Sequence, residues 1–241
     1  MGVAQWIINQ IPPHRVYIEP FLGGGAILRL KAPARSSIAI ERDPRVLAAW
    51  RFHHNIPDLR AISGDAISWL EDFRPVGDEF IYCDPPYLFS TRTCGAIYRF
   101  ELSDAEHERL LSILKRLRCS IAISGYWSAL YTRELSRWRT SRFLTTKRNH
   151  AHAEEWLWMN YPPPISLHDY RYLGRDFRER ERIKRKKIRW KNRLIKMPIL
   201  ERQALMATLA ELEDGRSTIS GCIDENGENC RRRAPKMARS S

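Results

Sequence analysis

At 241 residues, 43% of them hydrophobic, the chain is long enough for one good-sized α/β core with an appendage, or for two small domains. Its formal net charge of +13 favours a polyanionic partner, most simply nucleic acid. No apolar run reaches the roughly 20 residues needed to cross a membrane and no signal-peptide pattern opens the chain. The five cysteines (Cys83, Cys94, Cys119, Cys222 and Cys230) form no C-x-x-C pair, which favours a reduced, cytoplasmic setting over a disulfide framework.

In chain order, Gln5 to Gln10 predicts a short helix, ended by Pro12-Pro13. Val16 to Ile18 is a brief buried strand that runs into Glu19-Pro20-Phe21-Leu22-Gly23-Gly24-Gly25-Ala26. Three glycines after a strand let the backbone turn tightly and lie against a ligand. A helix over Ile27 to Lys31 follows, then a strand over Ser37 to Ile40 that closes on Glu41. Asp43-Pro44 reads as an N-cap with proline at the first helical position, opening a helix to about His53. Arg60 to Ser63 is a third strand, ending at Gly64-Asp65, and Ala66 to Phe73 is helical. Phe80 to Cys83 is the fourth strand. Strands and helices alternating at this spacing predict a parallel sheet covered by helices on both faces, an α/β, Rossmann-like architecture.

The fourth strand ends in Asp84-Pro85-Pro86-Tyr87. The prolines have fixed φ and no amide donors, so the strand stops and the backbone there is stiff. A carboxylate, exposed carbonyls and a flat ring on a rigid rim suit a planar ring that bears an amino group. Leu88 to Glu101 has no period and carries Arg92, Tyr98, Arg99 and Phe100, as a long functional loop would. Ser103-Asp104-Ala105-Glu106 has capping-box spacing before a helix with Leu110, Ile113, Leu114 and Leu117 on one face. Ser120 to Ser124 is a fifth strand and Ser128 to Ser136 a helix. Trp138 to Thr145 and Glu155 to Tyr161 predict a closing pair of strands around the basic loop Lys147-Arg148-Asn149-His150. Pro162-Pro163-Pro164 ends this domain.

Beyond the prolines the composition changes. Residues 171–197 hold 13 Lys and Arg against 3 Asp and Glu, a net of +10 that leaves the remainder close to neutral. Asp176 to Lys196 is a highly charged helix with sparse apolar residues; Pro198 breaks it. Ile199 to Asp214 is a second helix, ended by Gly215, and Arg216 to Ser241 is polar and expected to be disordered. The domains expected are therefore 1–165 catalytic, 166–215 basic and helical, and 216–241 a tail.

The first three strands end at acids, Glu19, Glu41 and Asp65. Glu41 could accept from ribose hydroxyls, and Asp65 from the exocyclic amine of an adenine; both also fit ordinary strand-end roles. The glycines fit an ordinary turn as well as a nucleotide cradle. No Gly-Lys-Ser/Thr follows, which excludes a P-loop, and Leu28 stands where a dinucleotide fingerprint has its third glycine. His150 and His152 lack evident ligand partners, and Cys222 and Cys230 are a poor candidate for zinc, so no metal is expected.

Taken together, Glu19 to Ala26, the Glu41 and Asp65 positions, Asp84-Pro85-Pro86-Tyr87, Ile123-Ser124-Gly125-Tyr126 and Glu155 to Pro162 resemble the adenine-specific DNA methyltransferases of the Dam-like, D12 class. The resemblance covers about residues 4 to 165. It implies a Rossmann-like domain holding S-adenosylmethionine, with Pro20, Phe21, Gly23 and Gly25 at its turn, its ribose on Glu41 and its adenine near Asp65. It implies that Asp84, Pro85, Pro86 and Tyr87 hold a target adenine flipped from double-stranded DNA. It also implies a bacterial or phage-encoded, nucleoid-associated protein. Family members usually have a Gly-Gly-Lys segment before the first helix, whereas this sequence begins Met1-Gly2-Val3-Ala4, so truncation or weaker cofactor binding is expected. Many also insert a recognition domain before Asp-Pro-Pro-Tyr; only 57 residues, Ile27 to Cys83, are available here. DNA reading is therefore expected from Arg92, Arg99 and Arg148 in the loops and from Lys184, Arg185, Lys186, Lys187, Arg189 and Lys191 in the basic helix, where phosphate contacts add affinity. An RNA adenine methyltransferase, or a DNA-binding protein with lost or weak catalysis, are the rivals.

Overall fold

The computed structural model describes residues 2–50, 56–91, 99–146 and 152–219. Loop positions Arg92, Cys94, Tyr98 and Arg148, and the tail from Ser220 with Cys222 and Cys230, lie outside them. The chain divides into two compact units, Met1–Glu181 and Arg182–Ser241.

The first unit is built on one seven-stranded sheet. Its strands are β1 (Val16–Glu19), β2 (Ser36–Glu41), β3 (Leu59–Ser63), β4 (Glu79–Cys83), β5 (Ser120–Gly125), β6 (Arg139–Thr146) and β7 (His152–Met159). Their spatial order is β3-β2-β1-β4-β5-β7-β6, with β1 to β5 parallel and β7 antiparallel to both β5 and β6. The predicted α/β, Rossmann-like sheet is thus present, and the closing pair of strands forms its antiparallel edge. Every residue of β4 is buried, as a parallel strand covered on both faces requires.

Two apolar layers hold the sheet. On one face α4 (Ala66–Asp72), α5 (Asp104–Arg116) and α6 (Ala129–Glu134) bring Leu70, Leu110, Leu114 and Tyr131 against Ile18, Ile81 and Ile123. On the other, α1 (Val3–Ile8), α2 (Ala26–Leu30) and α3 (Pro44–Trp50) bring Ile8, Leu28 and Trp50 against Tyr17, Phe80 and Leu157. Alternate side chains of each strand serve opposite layers, the period-2 geometry of a strand. At α5 the capping box is complete: Ser103 Oγ accepts from the Glu106 amide, and Glu106 Oε2 accepts from the Ser103 amide at 2.7 Å.

Past the triple proline the chain returns to this unit rather than leaving it at residue 165. Asp169 is buried, accepts from the Ala32 amide at 2.8 Å and is gripped by Arg171, whose Nη2 also donates to the Leu30 carbonyl at 2.7 Å. Asn9 Nδ2 donates to the Tyr172 carbonyl, and the His168 amide to that of Ile11. The strap thereby satisfies carbonyl and amide groups that helix ends leave open.

The helical extension consists of α7 (Phe177–Lys196) and α8 (Ile199–Ile219), broken at Pro198. The helix expected to end at Gly215 continues through it to Ile219, so Arg216 to Ile219 are helical rather than tail. One glycine costs a helix about 1 kcal/mol relative to alanine and does not by itself end it. Among the described residues, no helix is long and apolar enough to cross a membrane.

Candidate functional site

In a sheet ordered 3-2-1-4-5 the chain leaves β1 toward one side and β4 toward the other. The crevice between them, at the carboxyl ends of the strands, is the topological switch point where such sheets bind ligands. Val16–Ile18 pair with Glu79–Ile81, so the glycine turn after β1 and the prolines after β4 leave the sheet side by side.

The turn is set by its two strained positions. Gly23 has φ of 44° and Gly25 of 54°, conformations that cost a side-chain-bearing residue. A Cβ on Gly25 would also lie 2.1 Å from the Trp50 ring, so α3 packs directly under the turn. Trp50 Nε1 donates to the Gly23 carbonyl at 3.0 Å. A Cβ on Gly23 or Gly24 would meet nothing within 4 Å; their open side faces space rather than protein. Glu41 fastens the turn to β2: Oε2 accepts from the Gly23 amide and Oε1 from the Asp43 amide, both at 2.8 Å. Each oxygen retains a lone pair for a further donor.

A cavity of about 190 Å³ lies against this turn. It brings together Pro20, Phe21, Gly23, Glu41, Asp65, Asp84 and Pro86, with Ile40, Val46, Ala66 and Leu102 as apolar wall. Gly25, Pro85 and Tyr87 are not on its wall. Asp65 caps α4, Oδ1 accepting from the Ser68 amide at 2.8 Å, and Arg42 stands 3.9 Å from Oδ2. Arg99, expected to face nucleic acid, lines the cavity and donates to Asp43 Oδ1 at 3.2 Å. The Phe100 ring sits between the Arg42 and Arg99 guanidinium groups, 5.4 and 5.3 Å from its centre.

Asp84 is aimed by β5. Ser124 Oγ donates to Asp84 Oδ1 at 2.9 Å and the Tyr87 hydroxyl donates to the same oxygen at 3.3 Å. Oδ2 is left to accept from a ligand. Loss of solvent about the group raises its carboxyl above the ordinary aspartate range, against the lowering effect of the Ser124 and Tyr87 hydrogen bonds. Its accessible surface is nonetheless exposed. The exposed face reaches water through the open cavity, which favours the ionised form. Tyr87 meets Tyr126 edge to face, ring centres 4.7 Å apart.

Beneath β1 lie a buried acid and a buried amine that the sequence did not reveal. Glu19 is buried and accepts from the Tyr17 hydroxyl at 2.8 Å; burial pushes its carboxyl up to about 8. Lys31 is buried with its Nζ 4.1 Å from the Tyr17 ring centre, and burial pulls its amine down to about 8. Ser124 and Trp50 were also missed as positioning residues, because a hydroxyl in a strand and a tryptophan in a helix carry no local signal of their partners.

In the second unit, Lys184, Arg185, Lys186, Lys187, Arg189 and Lys191 of α7 are all exposed. Arg182, Arg185 and Arg189 recur at helical spacing and line one shallow groove with Ile188. Among the described residues no group of His, Cys, Asp and Glu could hold a metal ion.

No protein-family model matches the sequence, and no curated protein matches it. Among solved structures, the chain is similar to a magnesium protoporphyrin IX methyltransferase from Synechocystis with bound SAM, at 11% identity over 66% of this chain and 77% of that one, TM-score 0.44. It is similar to an rRNA methylase from Streptococcus thermophilus at 12% identity over 65% and 92% of the two chains, TM-score 0.40. A dimethyladenosine transferase from Plasmodium falciparum stands at 12% identity over 65% and 60%, TM-score 0.41. At this level of likeness neither substrate nor cofactor carries over from one protein to another.

Proposed function

We propose that the chain is an S-adenosylmethionine-dependent methyltransferase acting on the exocyclic amine of adenine in DNA. The observation that carries this reading is the shared cavity: Gly23 of the glycine turn, Glu41, Asp84 and Pro86 open onto one space. The residues present fit the methyl donor. Gly23 and Gly24 leave room beside the backbone. Glu41 has lone pairs for ribose hydroxyls, and Ile40, Val46 and Phe100 offer apolar walls to a purine. When bound, S-adenosylmethionine supplies a methyl on a sulfonium sulfur, whose C–S bond breaks with its electrons returning to sulfur as a nucleophile takes the carbon.

An aromatic amine is a poor nucleophile because its lone pair is delocalised into the ring. Asp84 Oδ2 and the Pro85 carbonyl accept its two N–H groups and favour a pyramidal nitrogen. Ser124 and Tyr87 fix the carboxylate that does this. The nitrogen that gains a methyl must shed a proton, and Asp84 is placed to accept it. Most of the rate gain would come from positioning and electrostatics. Tyr87, with Tyr126 at its edge, stacks on the flipped base. Exposed α7 supplies phosphate contacts, a sequence-independent contribution to affinity.

Transfer of labelled methyl from S-adenosylmethionine to duplex DNA, RNA and protein tests the reading. Label in the adenine amine of DNA is the expected result; label in RNA alone replaces the substrate, and no label with any of the three overturns the activity.

A further inference from the structure

Beside the Tyr87–Tyr126 pair the molecule has a second cleft, of about 390 Å³, that the chemistry above does not use. Ser90, Thr91, Tyr126, Trp127, Ser128 and Glu154 line it. Its floor is the turn after β5 and its far wall is the start of β7. Tyr126 belongs to both places: its ring meets Tyr87 on one side and borders this cleft on the other. Trp127 follows directly and leaves 54% of its surface exposed, unusual for the largest apolar side chain. The same cleft is lined by Glu154, its carboxylate half exposed and 3.4 Å from Arg142 Nη1. Arg142 in turn lies 5.6 Å from the Trp156 ring centre, so the acid is held on a supported cation. The hydroxyls are not equivalent. Thr91 Oγ1 donates to the Leu88 carbonyl and Ser128 Oγ accepts from the Tyr131 amide, each holding its own turn.

We propose that this cleft takes the nucleobase adjoining the target base, with Trp127 stacking on its face and Glu154 accepting from an exocyclic amine on its edge. The inference rests on the proposed function. A base flipped from the duplex leaves the face of the adjoining base unstacked, and the side chain next to Tyr126, which is Trp127, can cover that face. An exposed ring there stacks on any base, since every base has a π face. The carboxylate adds discrimination. It accepts from the amine of cytosine or adenine and repels the carbonyl oxygen that thymine and guanine present at the same place. The cleft therefore makes Glu154 a specificity-determining residue in a chain too short between its motifs for an inserted recognition domain.

Duplex oligonucleotides with one target adenine, varied through all four neighbours on each side, provide the test. The wild-type protein is expected to prefer an amino-bearing neighbour on one side by about tenfold or more in kcat/KM. Glu154→Gln, which can donate as well as accept, should flatten that ratio. Trp127→Ala should raise KM for every neighbour by about fivefold or more, with Trp127→Phe restoring most of the loss. A ratio among neighbours that Glu154→Gln leaves intact, together with unchanged KM in Trp127→Ala, overturns this inference while methyl transfer itself stands. A wild-type protein that methylates DNA with equal efficiency beside all four neighbours overturns the role of Glu154. No transfer to any of the oligonucleotides, from a protein active on another polymer, removes the proposed substrate and the cleft's role with it.

Discussion

The crevice between β1 and β4 and the exposed helix α7 solve binding in opposite ways. In the crevice a few groups are each bonded twice over: Glu41 holds two amides, Asp84 holds two hydroxyls on one oxygen, and Trp50 both packs against Gly25 and donates to Gly23. On α7 many cations stand exposed, and neighbours can substitute for one another. The first arrangement fixes atoms to a fraction of an ångström, as transition-state chemistry needs. The second supplies charge without register, as phosphate binding needs. Single substitutions should therefore be severe in one region and mild in the other.

The sharpest test of that contrast is Asp84→Asn. The amide still accepts from Ser124, so the fold should hold, but it can turn an N–H toward the amine it must serve. Methyl transfer should fall by about 10²–10³-fold, read by label incorporation at saturating donor and DNA. A loss under tenfold would mean that Asp84 is not the group in contact with the amine. Next in size is Gly25→Ala, which combines a positive φ with a clash against Trp50. Unfolding in urea should show a loss of about 2–4 kcal/mol. Gly24→Ala, with open space at its Cβ, should leave stability within about 0.5 kcal/mol.

Replacing Lys184, Arg185 and Arg189 together by Gln should act only through DNA affinity. The slope of log affinity against log salt should flatten by about 0.9 for each phosphate no longer neutralised. If single and triple replacements weakened binding equally, α7 would be a precise reader rather than a charged surface. The strap decides where a truncation may begin: removing residues from 171 onward would also take Arg171 and Tyr172 from α1 and α2, so a cut that removes the second unit and spares the strap falls after Glu181.

The smallest effect concerns Glu19. Below its ordinary value of 4.5 the acid is protonated in both folded and unfolded chains. Between 4.5 and about 8 the unfolded chain ionises while the folded one keeps its proton, so stability falls as pH rises. Lys31, lowered from 10.5 to about 8, contributes the opposite slope above about pH 8. Glu19→Gln cannot ionise. Its Tm should match the wild type near pH 5 and exceed it near pH 8, in a series of thermal melts. A gap independent of pH would mean that Glu19 is ionised in the fold throughout.

Much of this molecule can be read along the chain. The strand–helix alternation, the capping box at Ser103 and the N-cap at Asp43 are encoded within a few residues of where they act. The glycine turn and the Asp-Pro-Pro-Tyr rim stand out because glycine and proline set the backbone at their own positions. What stays hidden depends on partners far away in sequence. Trp50 is 27 positions from the carbonyl it serves and Ser124 is 40 from Asp84. Arg99 reads as a DNA-contacting cation in a loop; only the fold brings it to Asp43, 56 positions earlier. The end of α8 is misplaced in the sequence reading because one glycine weighs less than the helix formers around it.

The strap at Asp169 and Arg171 has a consequence for synthesis on the ribosome. It closes the end of α2, whose Leu30 carbonyl and Ala32 amide wait some 140 positions for their partners. A nascent chain can therefore pair β1, β2 and β3 early, yet the helix that follows the glycine turn stays open-ended until nearly the whole first unit has been made. Closing so long a loop is entropically slow. The helix that follows the glycine turn is thus among the first parts of the protein to be translated and among the last to be closed.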